Sequence, residues 1–513
     1  IFLYVDRCVY EGSFKLVSAK YKSDLMSQKQ KIVHSFFWKL LERFGSQAIS
    51  MFVTILLARI LLPSEYGIIA ILVVFIDLAN VIIDGGLNTA LIQKRNADNV
   101  DFSTILYVSI GLALIIYILL FLGAPWIAQF YDNSLLSPVL RVLGINLFFN
   151  SFNAIQRAYI SKYMLFKKLF YCTLGSTLLS GVVGLAMAYQ GYGVWSLVGQ
   201  QVVNQFATTL IMWFTIKWRP IPVFSFLRFK RLFDFGWKIF LANLIIVVYE
   251  DVRSLIIGKV YQPVTLAFFD RGKQLPGLMM TNVNISLQTI LLPAFANIQD
   301  DPQRVKQMTK RSIELTNFVI MPLLVGLLVA AKPFVLLLLT EKWLGVVPFI
   351  QIFCIAYMMI PIQSSNMSAI KALGHSGITL KIEIIKKVIE AVILVVSFLI
   401  DVYAVAWGIV LYNFICIIVN LYPCRKLLDY GLFEQLKDVI SPIFSSVAMG
   451  LAIFWISDLD YHPALLLAME IVLGILIYVS IHVVLKTNCY LYAKEIIVYE
   501  IGKRKSINKK KSV

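Results

Sequence analysis

Charge is scarce in this chain. Only 15% of its 513 residues are Asp, Glu, Lys or Arg, against 59% hydrophobic residues. A soluble domain carries about 25% charged residues. Composition therefore argues against a soluble enzyme or a secreted module. Histidine is scarcer still: His34, His375, His462 and His482 are scattered and show no metal-ligand spacing. The six cysteines, Cys8, Cys172, Cys354, Cys416, Cys424 and Cys489, include no CxxC pair. Neither a zinc site nor a disulfide framework is expected. No Gly-rich Walker A loop is present, which excludes ATP hydrolysis by that route. No catalytic constellation stands out, so the reading is of a non-enzyme with no cofactor and no metal.

What fills the chain instead is a series of long apolar runs. A bilayer takes about 20 apolar residues per helix, and on that ruler the chain holds about fourteen transmembrane helices. The net charge of +18 suggests nucleic acid only if its placement is ignored. Lys94, Arg95, Lys162, Lys167, Lys168, Arg228, Lys230, Arg231, Lys310 and Arg311 fall in one set of alternate loops; the other set holds little beyond Lys259 and Lys342. That asymmetry is the positive-inside pattern. It makes both termini cytoplasmic and excludes nucleic acid as the partner. The tail KRKSINKKKSV then faces anionic lipid headgroups. Residues 1–25 show neither a signal-peptide core nor a helical period. Met26 opens MSQKQKIVHSFFWKLLERFG and is the expected natural start.

The spans group as six, six and two. The expected divisions are a cytoplasmic N-terminal segment (1–35), a first bundle (36–216), a cytoplasmic linker (217–234), a second bundle (235–424), two extra helices (425–485) and a basic tail (486–513). The second bundle echoes the first. Trp237-Lys238 precedes Pro263 at nearly the spacing at which Trp38-Lys39 precedes Pro63, and Arg59 and Lys259 stand one turn before those prolines. Two related halves with charge at their junction are the shape of a transporter.

Several spans carry polar residues at helical spacing. Arg43 leads one such stripe. Asp77, Asn80, Asp84 and Asn88 form a second, and Asn146, Asn150, Asn153 and Arg157 a third. Gln205, Asn243, Asn284 and Gln288 lie on others, and Glu250, Asp251 and Arg253 sit together. Ser, Asn and Gln also serve as hydrogen-bonding glue between spans, contributing about 0.6 kcal/mol each. So many stripes in both halves favour a polar cavity. The candidates for substrate binding are Arg43, Arg59, Asn150, Arg157, Gln205, Arg253, Arg271, Asn284 and Gln288. A guanidinium fork stays charged and matches phosphate. Asp77, Asp84, Glu250 and Asp251 are candidates for ion coupling, with ion pairing such as Glu250 to Arg253 as the alternative. Glu383, Lys386, Lys387 and Glu390 read as self-paired.

Several stretches also carry a family resemblance. DGGLNTALIQKR (84–95), FFDRGKQLPGL (268–278), the long stretch from Leu291 to Trp343, ALGHSGITLKIEIIKK (372–387) and LARILLPSEYG (57–67) stand in order. Over roughly Trp38 to Tyr422 the chain resembles the polysaccharide transporter family. That family includes O-antigen, teichuronic-acid and colanic-acid type flippases of the multidrug/oligosaccharidyl-lipid/polysaccharide superfamily. The resemblance implies an all-α polytopic protein of the bacterial cytoplasmic membrane. Two MATE-like six-helix bundles would face each other across a central cavity, followed by two C-terminal helices. It implies export of undecaprenyl-pyrophosphate-linked oligosaccharide by alternating access. Membrane lipids, a polysaccharide polymerase and glycosyltransferases are the implied neighbours, and a monomer is expected. The alternative on the same fold is an ion-coupled drug or metabolite antiporter. A membrane polymerase or ligase would need large outside loops, which this reading lacks.

Overall fold

The computed structural model describes Ser35, residues 37–296, Ile298, 301–374, 376–457, Leu459, 461–487 and 490–491, with the side chains of 285–294, 296 and 376 left aside. The segment bearing on Met26 and the basic tail lie outside the described residues. All regular structure among the described residues is helical. Lipid offers backbone groups no hydrogen bonds, so each segment must satisfy its own. Two compact units divide the chain, Ile1–Pro263 and Val264–Val513.

The first unit contains α1 (Phe37–Ile60), α2 (Pro63–Asp84), α3 (Leu87–Gln93), α4 (Asn99–Phe130), α5 (Leu136–Leu143), α6 (Asn146–Lys162), α7 (Phe166–Tyr189), α8 (Val194–Thr215) and α9 (Phe226–Val260). The second contains α10 (Pro263–Ala296), α11 (Pro302–Val329), α12 (Ala331–Leu338), a 3₁₀ turn (Glu341–Val346), α13 (Val347–Met358), α14 (Ile360–Ala372), α15 (Ser376–Phe398), α16 (Val402–Leu428), α17 (Leu432–Ser457) and α18 (Pro463–Val484). Proline opens α2, α10, α11 and α18, where its missing N–H costs nothing and its fixed φ suits the first turn. The sequence echo is thus structural: α1 stops at Ile60 and α2 starts at Pro63, while α9 stops at Val260 and α10 starts at Pro263.

Ten segments among the described residues are long and apolar enough to cross a membrane. They are α1, α2, α4, α7, α9, α11, the run Glu341–Ala372, α16, α17 and α18. The expected fourteen also counted α5–α6, α8, α10 and α15. Of these, α5 and α6 run to only 8 and 17 residues, whereas Gln201 and Gln205 on α8 and Glu383 and Lys387 on α15 lower the hydropathy of theirs; α10 carries Asp270 and Arg271 in its first half.

In the first unit, Leu91, Phe102, Ile155, Met212 and Trp218 form a buried core joining α3, α4, α6 and α8. Lipid tails are as apolar as leucine, so close van der Waals packing must supply cohesion within the bilayer. The α7–α8 pair achieves this with small residues. A Cβ on Gly184 would stand 2.9 Å from Gln200 Cβ, and Asn204 Nδ2 donates to Ser180 Oγ at 3.1 Å.

The chain between α8 and α9 is strapped along the start of α4. Ile221 N donates to Ser103 Oγ (3.0 Å), Ser225 N to Thr104 Oγ1 (3.3 Å), and Tyr107 Oη to the Ile221 carbonyl (2.9 Å). Helix α9 then packs on α2, α3 and α4. Its first turn is held by charge. Arg228 bonds the Asp98 carboxylate and reaches Asp101 Oδ1 at 3.3 Å, while Lys94 Nζ meets Asp101 Oδ2 at 2.6 Å. Asp98 and Asp101 also form the capping box of α4. At the far end, Tyr131 donates to the Leu255 carbonyl at 3.2 Å and Lys259 pairs with Asp132 at 2.9 Å. Helices α4 and α9 therefore run parallel and are tied at both ends.

The Arg228 hydrogen bond holds the Asp98 carboxyl below its ordinary value of 3.8. A carboxyl lowered in the folded state contributes stability above 3.8 and loses it as pH falls through the lower folded value. Protection factors of amides in the first turn of α9, which remove the intrinsic pH dependence of exchange, should be flat from pH 7 to about 5 and fall below 3.8. Arg228→Gln should remove that fall. An identical pH profile in the variant would separate Asp98 from the anchoring of α9.

In the second unit, α11 packs against α13, α14 and α17. Phe269 stacks edge-on with Phe349 and Phe353. Ser312 and Ser365 hydroxyls lie 2.9 Å apart, and Asn366 Nδ2 donates to Gln435 Oε1 at 2.9 Å. Helices α17 and α18 join this core through Met449, Ile453 and Tyr478, packed on Phe318 and Val325 of α11.

Candidate functional site

The polar stripes of the first unit meet each other. The second stripe does not lie on one helix: α2 ends at Asp84, and Gly85 and Gly86 take φ of 51° and 69° before α3 begins. Asn88 still reaches back to donate to Asp84 Oδ1 across the break. Asn150 Nδ2 donates to Asn80 Oδ1 at 2.8 Å, joining α6 to α2. Asn153 Nδ2 donates to Gln205 Oε1 at 3.1 Å, joining α6 to α8. Asn150 and Gln205 thus bond other spans, and their remaining lone pairs and N–H groups stay half-exposed.

The charged candidates behave differently. Arg157 is exposed on α6 and stands within electrostatic reach of Glu42 on α1. Arg43 is half-buried one residue along from Glu42, while Arg59 and Asp77 are exposed. On α9, Glu250 is exposed, Asp251 half-buried and Arg253 buried at 8% exposure.

In the second unit Arg271 Nη1 donates to Gln274 Oε1 at 2.6 Å. Asn284 Oδ1 accepts from Ser364 Oγ at 2.9 Å. The Gln288 side chain lies outside the described residues. On α15, Lys387 pairs with Glu390 at 3.1 Å and Lys386 with Glu383 at 3.6 Å.

Sequence reasoning passed over four groups. Glu42 is the acidic neighbour of Arg157. Gln156 is 1% exposed, and neither of its amide atoms is hydrogen-bonded among the described residues. Asp270 sits beside Arg271 and Lys273 in the FFDRGK stretch. Lys310 Nζ reaches Asp438 at 2.6 Å and Glu314 at 3.9 Å. Glu42, Asp270 and Glu314 were visible as charges inside or beside apolar runs. Gln156 gave no signal, because an amide inside a helix reads as glue.

Among the described residues no three His, Cys, Asp or Glu side chains gather as a metal site would require. The described cysteines Cys172, Cys354, Cys416 and Cys424 are buried thiols. Amides, hydroxyls and guanidinium forks predominate. They can hold phosphate oxygens and sugar hydroxyls through hydrogen bonds, which are about twice as strong where charge assists.

Known proteins resemble the chain in sequence and in fold. A family profile described as "Polysaccharide biosynthesis protein" matches residues 56–348, more than half of the chain. The lipopolysaccharide biosynthesis protein WzxC of Escherichia coli (strain K12) is 21% identical over 70% of this chain and 74% of its own length. The teichuronic acid biosynthesis protein TuaB of Bacillus subtilis (strain 168) is 21% identical over 77% and 83%. Among solved structures, the lipid II flippase MurJ in an inward closed conformation superposes with a TM-score of 0.70, covering 90% of this chain and 99% of its own at 14% identity. That last likeness is one of fold.

Proposed function

Because the chain belongs to the polysaccharide biosynthesis protein family, we propose that it is a transporter which moves polyprenyl-pyrophosphate-linked oligosaccharide units across the bacterial cytoplasmic membrane by alternating access. One observation carries the reading: the family match lies on a fold that a lipid II flippase shares over 90% of this chain. A diphosphate-sugar headgroup cannot enter hydrocarbon, whereas its polyprenyl tail belongs there. The task is to shelter the headgroup alone.

In this proposal all fourteen segments cross, and both termini are cytoplasmic. The four segments outside those ten, α5–α6, α8, α10 and α15, carry polar residues that face the headgroup path. Arg157, Arg43 and Arg59 of the first unit hold the diphosphate; Asn150 and Gln205 hold sugar hydroxyls. In the second unit Arg271 and Asn284 play matching parts. Arg253, being buried, positions its neighbours. Of the acidic candidates, Asp77 and Glu250 are the exposed ones and the foremost groups for coupling to an ion gradient. Asp84 and Asp251 follow them.

Deleting the protein should strand a lipid-linked repeat in the inner leaflet, seen by mass spectrometry of extracted lipids, with loss of surface polysaccharide. Restoring the chain should reverse both. Normal surface glycan with no stranded intermediate, in a strain lacking related transporters, would overturn the proposal. Arg157→Ala should cut export about ten- to a hundred-fold at unchanged membrane abundance, the loss of one charge-assisted contact. Arg157→Lys should restore part of it. Wild-type export by Arg157→Ala would remove this residue from the path.

A further inference from the structure

One face of α18 is buried at every fourth residue: Leu466, Glu470, Gly474, Tyr478 and His482. Glu470 is the odd member. It is 1% exposed, and among the described residues neither carboxylate oxygen has a hydrogen-bond partner. It lines an open-sided cavity of about 490 Å³ between α10, α11, α12, α17 and α18, within the range of about 300–1,000 Å³ typical of small-molecule sites. The wall is otherwise apolar, with Met279, Leu323, Phe334 and Met449 among its members. Tyr478 also lines it, but its hydroxyl donates to the Phe318 carbonyl at 2.8 Å. No Lys, Arg or His appears among the described residues of the wall.

We propose that this cavity binds a lipophilic primary amine, the alkyl chain against the apolar wall and the ammonium group on Glu470. A carboxylate buried without a cation is costly, and burying a neutral carboxyl still leaves its donor and acceptor unmet. An ammonium group has three donors and can serve both oxygens at once. A plain hydrocarbon chain would fill the wall and leave Glu470 bare. An aminophospholipid would bring a phosphate into a wall that holds no cation. A single-chain amine satisfies both halves of the cavity.

The test uses the full chain in lipid nanodiscs, with decylamine as probe and decanol as the neutral chain of equal length. Decylamine should raise Tm and decanol should not. Glu470→Gln keeps the side-chain shape and should weaken radiolabelled decylamine binding at least about tenfold, the scale of one lost charge-assisted pair. Gly326→Leu tests the cavity while keeping the charge. A Cβ at Gly326 would meet nothing closer than Met449 Cε at 3.9 Å, so a leucine has room to enter the cavity and should block the amine. Should Glu470→Gln not accumulate, Gly326→Leu decides alone. Equal Tm gains from amine and alcohol, undiminished binding in Glu470→Gln, or undiminished binding in Gly326→Leu would each overturn the proposal.

Discussion

Replacing Gly86 with alanine should abolish recovery of a folded protein. Gly86 takes φ of 69° in the break between α2 and α3, a region that costs an L side chain about 1–3 kcal/mol. The larger obstacle is spatial. A Cβ there would stand 2.2 Å from the Gly236 carbonyl oxygen and 3.0 Å from Phe240 N. Both are backbone atoms of α9, so no rotamer change relieves the clash, and α9 must move off α3. Overpacking of this kind costs a further 1–3 kcal/mol or more, by roughly the same reasoning as for a filled core. The sum is a large share of the total stability of about 5–15 kcal/mol typical of proteins. Size-exclusion profiles of tagged protein measure this directly. Gly111→Ala is the control, since its Cβ would meet nothing within 4 Å. A single sharp peak from Gly86→Ala would show that α9 does not need this approach.

Asp101→Ala should release the start of α9 with less damage to the rest. The Asp101 carboxylate is fully buried, while Lys94 and Arg228 keep 35% and 34% exposure. It also accepts from the Asp98 N–H at 3.1 Å. Breaking a buried pair costs about 3–5 kcal/mol. The two cations here can turn to water, so about 2 kcal/mol is the expected loss. Hydrogen exchange over 226–232 should accelerate while the core around Phe102 and Met212 stays protected. Asp98→Ala should do less, because its side chain is already 51% exposed. Unchanged exchange in both variants would leave the hydroxyl straps at Ser103 and Thr104 as the anchor.

Most of the helical plan was legible because its signals are local. Prolines 63, 263, 302 and 463 mark helix starts, and apolar runs of bilayer length mark spans. What escaped depended on neighbours distant in the chain. The segment 217–234 reads as a linker because it is basic and aromatic, yet nothing between Arg228 and Gly236 breaks a helix, and α9 already begins at Phe226. Sequence alone makes one span of residues 66–90, but contact with α9 demands the turn at Gly85 and Gly86. Sequence alone likewise makes one span of residues 313–339, which divides into α11 and α12 at Ala330, just before Pro333. Asn80, Asn150, Asn153 and Gln205 all stand out by helical spacing, but which of them bond each other is fixed by tertiary packing. Glu470 stood in plain view in PALLLAMEIVLG. Its meaning came only from the absence of any partner around it.

The double tie between α4 and α9 bears on how the protein is made. Helix α9 is a rod about 50 Å long, and the first eight helices are complete before its first residue is synthesised. Until then Asp101 has Lys94 but not Arg228, and the flanks of α2 and α3 that α9 covers stay open. A nascent chain halted in the loop after α8 is therefore an unfinished object, however well its own helices have formed. The bond from Lys259 to Asp132 closes last, at the far end of the same rod. The first half therefore depends for its completion on a helix made after all the others it contains.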